Sequence, residues 1–233
     1  MKKYVTFTNI IVVLAIIVYI LNLYVISPDT GYVAQRIMEE FKGSTDFNNV
    51  VKLFYLVFGS WGGHLNAILG FHLEKALHGE IWRFYTIVLT HAHLPHIVMN
   101  LIALIIAGNH IEKKEGTKKT IIFFLILMII NNLIADGIYF KLLGNEIDYS
   151  LGASGWITTL LGMILMRCIL DKKYAKKELT KGQIIYLIIY FVSTTFVLMP
   201  NMFTIIAHMS GLIAGMITEY LCSKVWKINK FKA

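Results

Sequence analysis

Residues Gly152–Leu170 read GASGWITTLLGMILMRCIL, a run that opens on a serine among small residues and carries no charge before Arg167. A helix that spans a bilayer needs about 20 mostly apolar residues, so this run is long enough to cross. Its polar opening is what needs explaining. Five further runs have the same character: Val5–Ile26, His93–Ile111, Thr120–Phe140, Gln183–Met199 and Phe203–Lys224. The chain of 233 residues is 57% hydrophobic and 15% charged, where a soluble domain carries about 25% charged residues. Its mean hydropathy is +0.65. The expected fold class is therefore an all-α membrane protein, a six-transmembrane-helix bundle forming one domain over residues 1–233.

The net charge of +8 does not point to nucleic acid, because the basic residues sit in short clusters between apolar runs. Lys2 and Lys3, then Lys113, Lys114, Lys118 and Lys119, fall on one side of the predicted bilayer. Arg167, Lys172, Lys173, Lys176, Lys177 and Lys181 fall on the same side, with Lys224, Lys227, Lys230 and Lys232. The opposite connections are poor in them: the third loop has Lys141, and the turn at Pro200–Asn201 has none. By the positive-inside rule both termini are cytoplasmic. Lys2 and Lys3 ahead of an apolar run also suit a signal peptide. The run is long for one, however, and no small-residue cleavage site follows, so a retained anchor is expected. Cys168 and Cys222 offer neither a disulfide framework nor a metal-type spacing. Within the outer loop at residues 27–82, Val50–Phe58 is too short to span and rich in aromatics, as is Trp61 beyond it. That composition suits a segment lying in the interface.

Polar residues inside a membrane are costly and count as functional candidates. At about 1.5 Å per residue, Ser154 lies roughly 20 Å above the inner edge marked by Arg167. Counting from Lys224 places His208 about 24 Å up, and counting from Lys113 places His96 and Asn100 about 26 and 20 Å up. A serine, two histidines and an asparagine from three helices thus share one level. If the fourth helix begins near Gly152, the Asp148–Ala153 loop dips below the surface, where irregular backbone must be buried in protein or line a cavity.

Gly152-Ala153-Ser154-Gly155 sets a hydroxyl at a helix start, where unpaired N–H groups can receive an oxyanion. The bland reading is a small-residue packing face. Ala207-His208-Met209-Ser210-Gly211, followed by Gly215, places His208 and both glycines on one helical face. That face meets a neighbouring helix rather than lipid, and His208 is the natural base for a serine alcohol. His96 and Asn100, at i and i+4, share a face and can both donate to an oxyanion. A rival reading makes His91, His93 and His96 a metal cluster, but no acidic partner stands at a recognisable spacing. His64, His72 and His78 read as interfacial. Asn131, Asn132 and Asp136 either line a cavity or bind substrate backbone, the bland alternative being helix–helix hydrogen bonding and simple surfacing. No acidic residue is placed to complete a triad with His208, so a Ser154–His208 dyad is expected.

These residues resemble the rhomboid family over roughly residues 58–225, with the core at about 82–225. Trp82-Arg83 resembles the family's Trp-Arg, and His96-x-x-x-Asn100 its oxyanion motif. Gly108-x-x-x-Glu112 resembles a helix end, Gly152-Ala153-Ser154-Gly155 the nucleophile motif, and Ala207-His208-x-x-Gly211-x-x-x-Gly215 the base helix. The resemblance implies intramembrane serine endopeptidase activity without a cofactor, and a multi-pass place in the cell membrane. It also implies membrane-protein substrates that enter from the lipid beside the fifth helix, with small residues at the cut and helix-weakening residues beyond it. One position departs: many members carry an aromatic four residues after the serine, stacked on the histidine, and here Thr158 stands there. A hydroxyl at 158 is expected to hold the imidazole by a hydrogen bond instead. The alternative function is a catalytically silent rhomboid-like protein that binds membrane clients. A metal-binding or transport protein is a third reading, although no internal repeat supports it.

Overall fold

Within the described residues each of the six apolar runs contains a long helix. The computed structural model describes residues 5–24, 64–143, 150–198 and 202–232. The Val50–Phe58 stretch, Trp61, the Pro200–Asn201 turn, the first part of the Asp148–Ala153 loop and the His64 side chain lie outside those residues. The long helices are α1 (Phe7–Tyr24), α5 (Leu94–Glu115), α6 (Thr117–Leu143), α7 (Ser154–Leu170), α9 (Lys181–Val192) and α10 (Met202–Lys232). Short helices α2 (His64–Leu69), α3 (Leu73–Leu77) and α4 (Arg83–Thr86) fill the outer segment, and α8 (Tyr174–Glu178) joins α7 to α9. A 3₁₀ turn follows α4 at Ile87–Leu89, and α9 runs on into a π-helical turn at Ser193–Val197. Leu94–Glu115, Thr117–Leu142 and Met202–Lys224 are long and apolar enough to cross a membrane, while α1, α7 and α9 with its π turn are shorter apolar helices.

The helix ends differ from the expected ones by a few residues, for local reasons. The α5 helix starts where the His93 side chain accepts the His96 N–H, with Pro95 in the first turn. Pro is tolerated there because that N–H has no helical partner anyway. It runs past Ile111 to Gly116, whose φ of 82° suits a residue without Cβ. The α9 helix begins two residues early because Thr180 and Gln183 form a reciprocal capping box.

The α7 helix is the axis of the bundle, with Trp156–Ile164 buried throughout. It packs most extensively on α10, and glycine sets how closely. A Cβ on Gly211 would lie 2.9 Å from the Gly155 carbonyl oxygen, while one on Gly215 or Gly162 would overlap the Thr159 or Leu212 carbonyl. Residues 155 and 211, then 159 and 215, therefore face each other in the same sense along both helices. The two helices run parallel, backbone on backbone, as small-residue interfaces permit. On the other side Trp156 packs edge-on against Phe124 of α6, with ring centroids 5.4 Å apart.

The α1 helix is fastened to α5 at its start. Glu112 accepts the Phe7 and Thr8 N–H groups at 2.7 and 2.9 Å, satisfying donors that a helix N-terminus leaves unpaired. Gly108 gives the room, since a Cβ there would lie 2.6 Å from Thr8 Cγ2. At the same end of the bundle lies Arg167, one of the basic residues counted towards orientation. It is 9% exposed, ion-paired with Glu115 of α5 and with Glu219 of α10 at 2.8 Å. Its charge is thus compensated inside the bundle and adds little to the basic surface. Nearby, Lys114 pairs with Glu178 at 2.6 Å and holds that exposed carboxyl below its usual pKa.

Candidate active site

The outer segment builds a frame for the residues that precede Ser154. Arg83 is buried, and its guanidinium donates to the Ala67 and Gly70 carbonyls at 2.9 and 2.6 Å and to Glu80 at 2.6 Å. Trp82 Nε1 donates to the Ile68 carbonyl at 3.3 Å. This pair fixes the turn at Gly70. Next to it, Phe71 and Ser150 exchange both backbone hydrogen bonds, at 3.0 and 2.8 Å. The Gly152 N–H then donates to the Ile87 carbonyl at 3.2 Å. The irregular strand leading to the serine is therefore pinned by protein on its way in, and Gly152 and Ala153 are buried. Ser150 and Leu151, ahead of them, are half-buried.

Gly152 has φ +113°, and a Cβ there would sit 2.7 Å from His96 Nε2 and 3.3 Å from Asn100 Nδ2. The His96-x-x-x-Asn100 face of α5 thus closes on the backbone two residues before Ser154. His96 Nδ1 accepts the Ala92 N–H at 3.4 Å, which leaves Nε2 as the protonated, donating nitrogen. Asn100 is fully buried; its Oδ1 accepts the Tyr190 hydroxyl of α9 at 2.5 Å. Its Nδ2 has no hydrogen-bond partner among the described residues. A buried amide donor without an acceptor is uncommon, and this one faces Gly152.

Ser154 is the first helical residue of α7, after Ala153, so its N–H belongs to the donors left unpaired by a helix start. The 155–211 register sets His208, one turn before Gly211, at the same end of the helix pair as Ser154. His208 is 3% exposed. The four residues that sequence depth placed on one level thus gather around the start of α7.

Three other expectations are corrected or resolved. Thr158 does not hold the imidazole: its hydroxyl donates to the Gly155 carbonyl at 3.0 Å, and its Oγ1 would lie 2.5 Å from a Cβ on Gly211. It is a packing residue between α7 and α10. The hydroxyl at His208 comes from Thr195, whose Oγ1 lies 2.9 Å from His208 Nδ1. Asn131 takes the helix-bonding alternative, accepting the Ser210 hydroxyl at 2.6 Å against the face of Gly155. Asn132 donates to the Phe84 carbonyl at 3.3 Å, anchoring the outer segment. His91, His93 and His96 lie close, with centroids 5.1 and 5.5 Å from His96. Among the described residues no group of three or more His, Cys, Asp or Glu is disposed to hold a metal ion.

Sequence reasoning missed Thr195 and Tyr190. Ser193-Thr194-Thr195 is a cluster of hydroxyls near the outer end of an apolar helix. Counting from Lys181 puts Thr195 about 21 Å up, level with the other four. Depth along α9 points to this cluster of hydroxyls, though not to Thr195 within it.

A family model described as "Rhomboid domain" matches residues 78–225, more than half of the chain. The chain belongs to the rhomboid family. A Bacillus subtilis (strain 168) protein named "Putative rhomboid protease YdcA" is 28% identical over 158 residues, covering 67% of this chain and 74% of that protein. Family membership and the apolar helices make the chain an integral membrane protein, and its rhomboid motifs are the structural joints described above: Trp82-Arg83 at the outer turn, Glu112 at the start of α1, and the glycines between α7 and α10.

Proposed function

We propose that this rhomboid-family protein is an intramembrane serine endopeptidase, with Ser154 as nucleophile and His208 as base. The observation that carries this reading is the convergence at Gly152: His96 and Asn100 press on the backbone beside Ser154, and Asn100 Nδ2 lacks an acceptor among the described residues. Ser154 Oγ bonds to the scissile carbonyl carbon while its proton passes to His208 Nε2. That proton then moves to the amide nitrogen as the C–N bond breaks, and water later releases the acyl group by the same route in reverse. The negative oxygen is met by His96 Nε2–H, Asn100 Nδ2 and the Ser154 N–H. No step calls for a cofactor.

The chain spans a cell membrane six times with both termini cytoplasmic, in keeping with the basic clusters on alternate connections. Its helices form a single domain over residues 1–233. Membrane-protein substrates reach Ser154 sideways from the lipid beside α9, and nucleic acid plays no part.

The test is cleavage of a single-pass transmembrane reporter with small residues at its outer end, in proteoliposomes of the purified protein. Wild type is expected to cut it, and Ser154→Ala and His208→Ala to be inactive while folded. Residual turnover in pure Ser154→Ala refutes the assignment. A wild type without activity towards the reporter and towards serine-directed probes favours instead a rhomboid-like protein that binds clients.

A further inference from the structure

The helix α9 reaches the site with two hydroxyls. Tyr190 donates to Asn100 Oδ1 at 2.5 Å, and Thr195 lies 2.9 Å from His208 Nδ1. Tyr190, Thr195 and Asn100 are all fully buried. The second contact depends on a local change of helix type. The Leu198 N–H bonds to the Ser193 carbonyl at 2.8 Å, an i→i+5 closure. Such a turn inserts one residue and re-aims the side chains within it. The preceding hydroxyls are tied to their own helix: Ser193 donates to the Ile189 carbonyl at 2.6 Å and Thr194 to the Tyr190 carbonyl at 2.7 Å. Thr195 makes no such bond among the described residues, and its oxygen reaches across to α10.

We infer that Thr195 is a positioning residue that fixes the ring orientation and tautomer of His208, in the place where a triad would have a carboxylate. The inference rests on the protease reading for its consequence, though not for its geometry. An imidazole can take the serine proton only through a nitrogen with a free lone pair. With Nδ1 engaged by Thr195, that nitrogen is Nε2. In the competent arrangement Nδ1–H donates to Thr195 Oγ1 and the Nε2 lone pair is left for Ser154. Once Nε2 is protonated the ring is a cation, and the Nδ1–H···Oγ1 bond becomes charge-assisted and stronger. Thr195 thus favours the form that appears during reaction more than the resting one. The position that carries a stacking aromatic in many relatives does not supply this here, because the Thr158 hydroxyl is spent on Gly155.

The test uses the full chain in detergent micelles, labelled with ¹⁵N-histidine, with the His208 signals assigned by their loss in His208→Gln. The wild type is expected to show the Nδ1–H tautomer at His208. Thr195→Val, which keeps the shape and removes the acceptor, is expected to lose that preference and to react with a fluorophosphonate about tenfold more slowly, the loss of one ordinary hydrogen bond. Thr195→Ser restores the hydroxyl and is expected to recover both. A wild-type His208 in the Nε2–H tautomer overturns the inference, with no variant needed. So does Thr195→Val with unchanged His208 signals and the wild-type labelling rate. If Thr195→Val fails to fold, the wild-type tautomer and the Thr195→Ser rate still decide. A wild type with the Nδ1–H tautomer that never labels counts against the protease while supporting the placement of Thr195.

Discussion

Gly152 lies directly against the His96 ring, where its missing Cβ would come within 2.7 Å of Nε2, and its φ of +113° is one that side-chain-bearing residues rarely adopt. One glycine therefore serves two ends: it lets the chain turn into α7, and it brings the α5 donors up to the serine. Gly152→Ala meets both the strained backbone and the ring. It is expected to lose serine labelling by tenfold or more and to lower the melting temperature in detergent. A labelling rate equal to the wild type's would show that His96 does not define the space beside Ser154.

Asn100→Ala removes the Nδ2 donor that faces Gly152. Loss of one oxyanion donor costs about 10² to 10³ in rate, so reporter cleavage should fall by that order with little change in KM. Tyr190→Phe leaves Asn100 intact but removes its hydrogen-bond donor, and a smaller fall is expected. An unchanged rate in Asn100→Ala would mean that its amide does not meet the oxyanion.

The α7–α10 contact tolerates no added atom at Gly215, since a Cβ there overlaps the Thr159 carbonyl. Overpacking of this kind typically costs about 1–3 kcal/mol. Gly215→Ala should lower the thermal midpoint, and Gly215→Leu should prevent folding. By contrast Gly182→Ala, where no described atom lies within 4 Å, should leave the midpoint unchanged or slightly raised, Ala being the better helix former.

Arg167 is expected to matter for stability more than for topology. Arg167→Ala leaves the buried Glu219 without its ion pair, while the half-buried Glu115 keeps Lys119; a buried pair broken on one side costs about 3–5 kcal/mol. Replacing Arg167 and Glu219 together by Met and Leu should recover part of that loss. Denaturation of the single and double variants measures it.

Thr158→Ala should label at close to the wild-type rate while Thr195→Val does not. The hydroxyl of Thr158 bonds only within its own helix among the described residues, so removing it leaves His208 with its partner. The reverse pattern would restore Thr158 as the residue that orients the base.

Much of this arrangement was legible in the sequence because the membrane imposes a common ruler. Apolar runs give helices, basic residues mark one edge, and a rise of about 1.5 Å per residue converts sequence distance into depth. Ser154, His208, His96 and Asn100 could be placed on one level in that way. Gly211 and Gly215 could be read as a contact face, because helical periodicity puts them on the side of His208. Depth does not give azimuth, however. Which hydroxyl turns towards His208 depends on a π turn in α9, and nothing in Ser193-Thr194-Thr195 distinguishes the third residue from the first two. Likewise the charge on Arg167 was visible, but its partners Glu115 and Glu219 lie 52 residues away in either direction. The pairing of Phe71 with Ser150 joins segments with no pattern of their own, and only the folded chain brings them together.

The most direct test of the central claim is to label the detergent-solubilised protein with a fluorophosphonate and map the adduct by mass spectrometry. A single adduct on Ser154 is expected, absent from Ser154→Ala and from His208→Ala. No adduct on a folded wild type, an adduct on another residue, or full labelling of His208→Ala would contradict it.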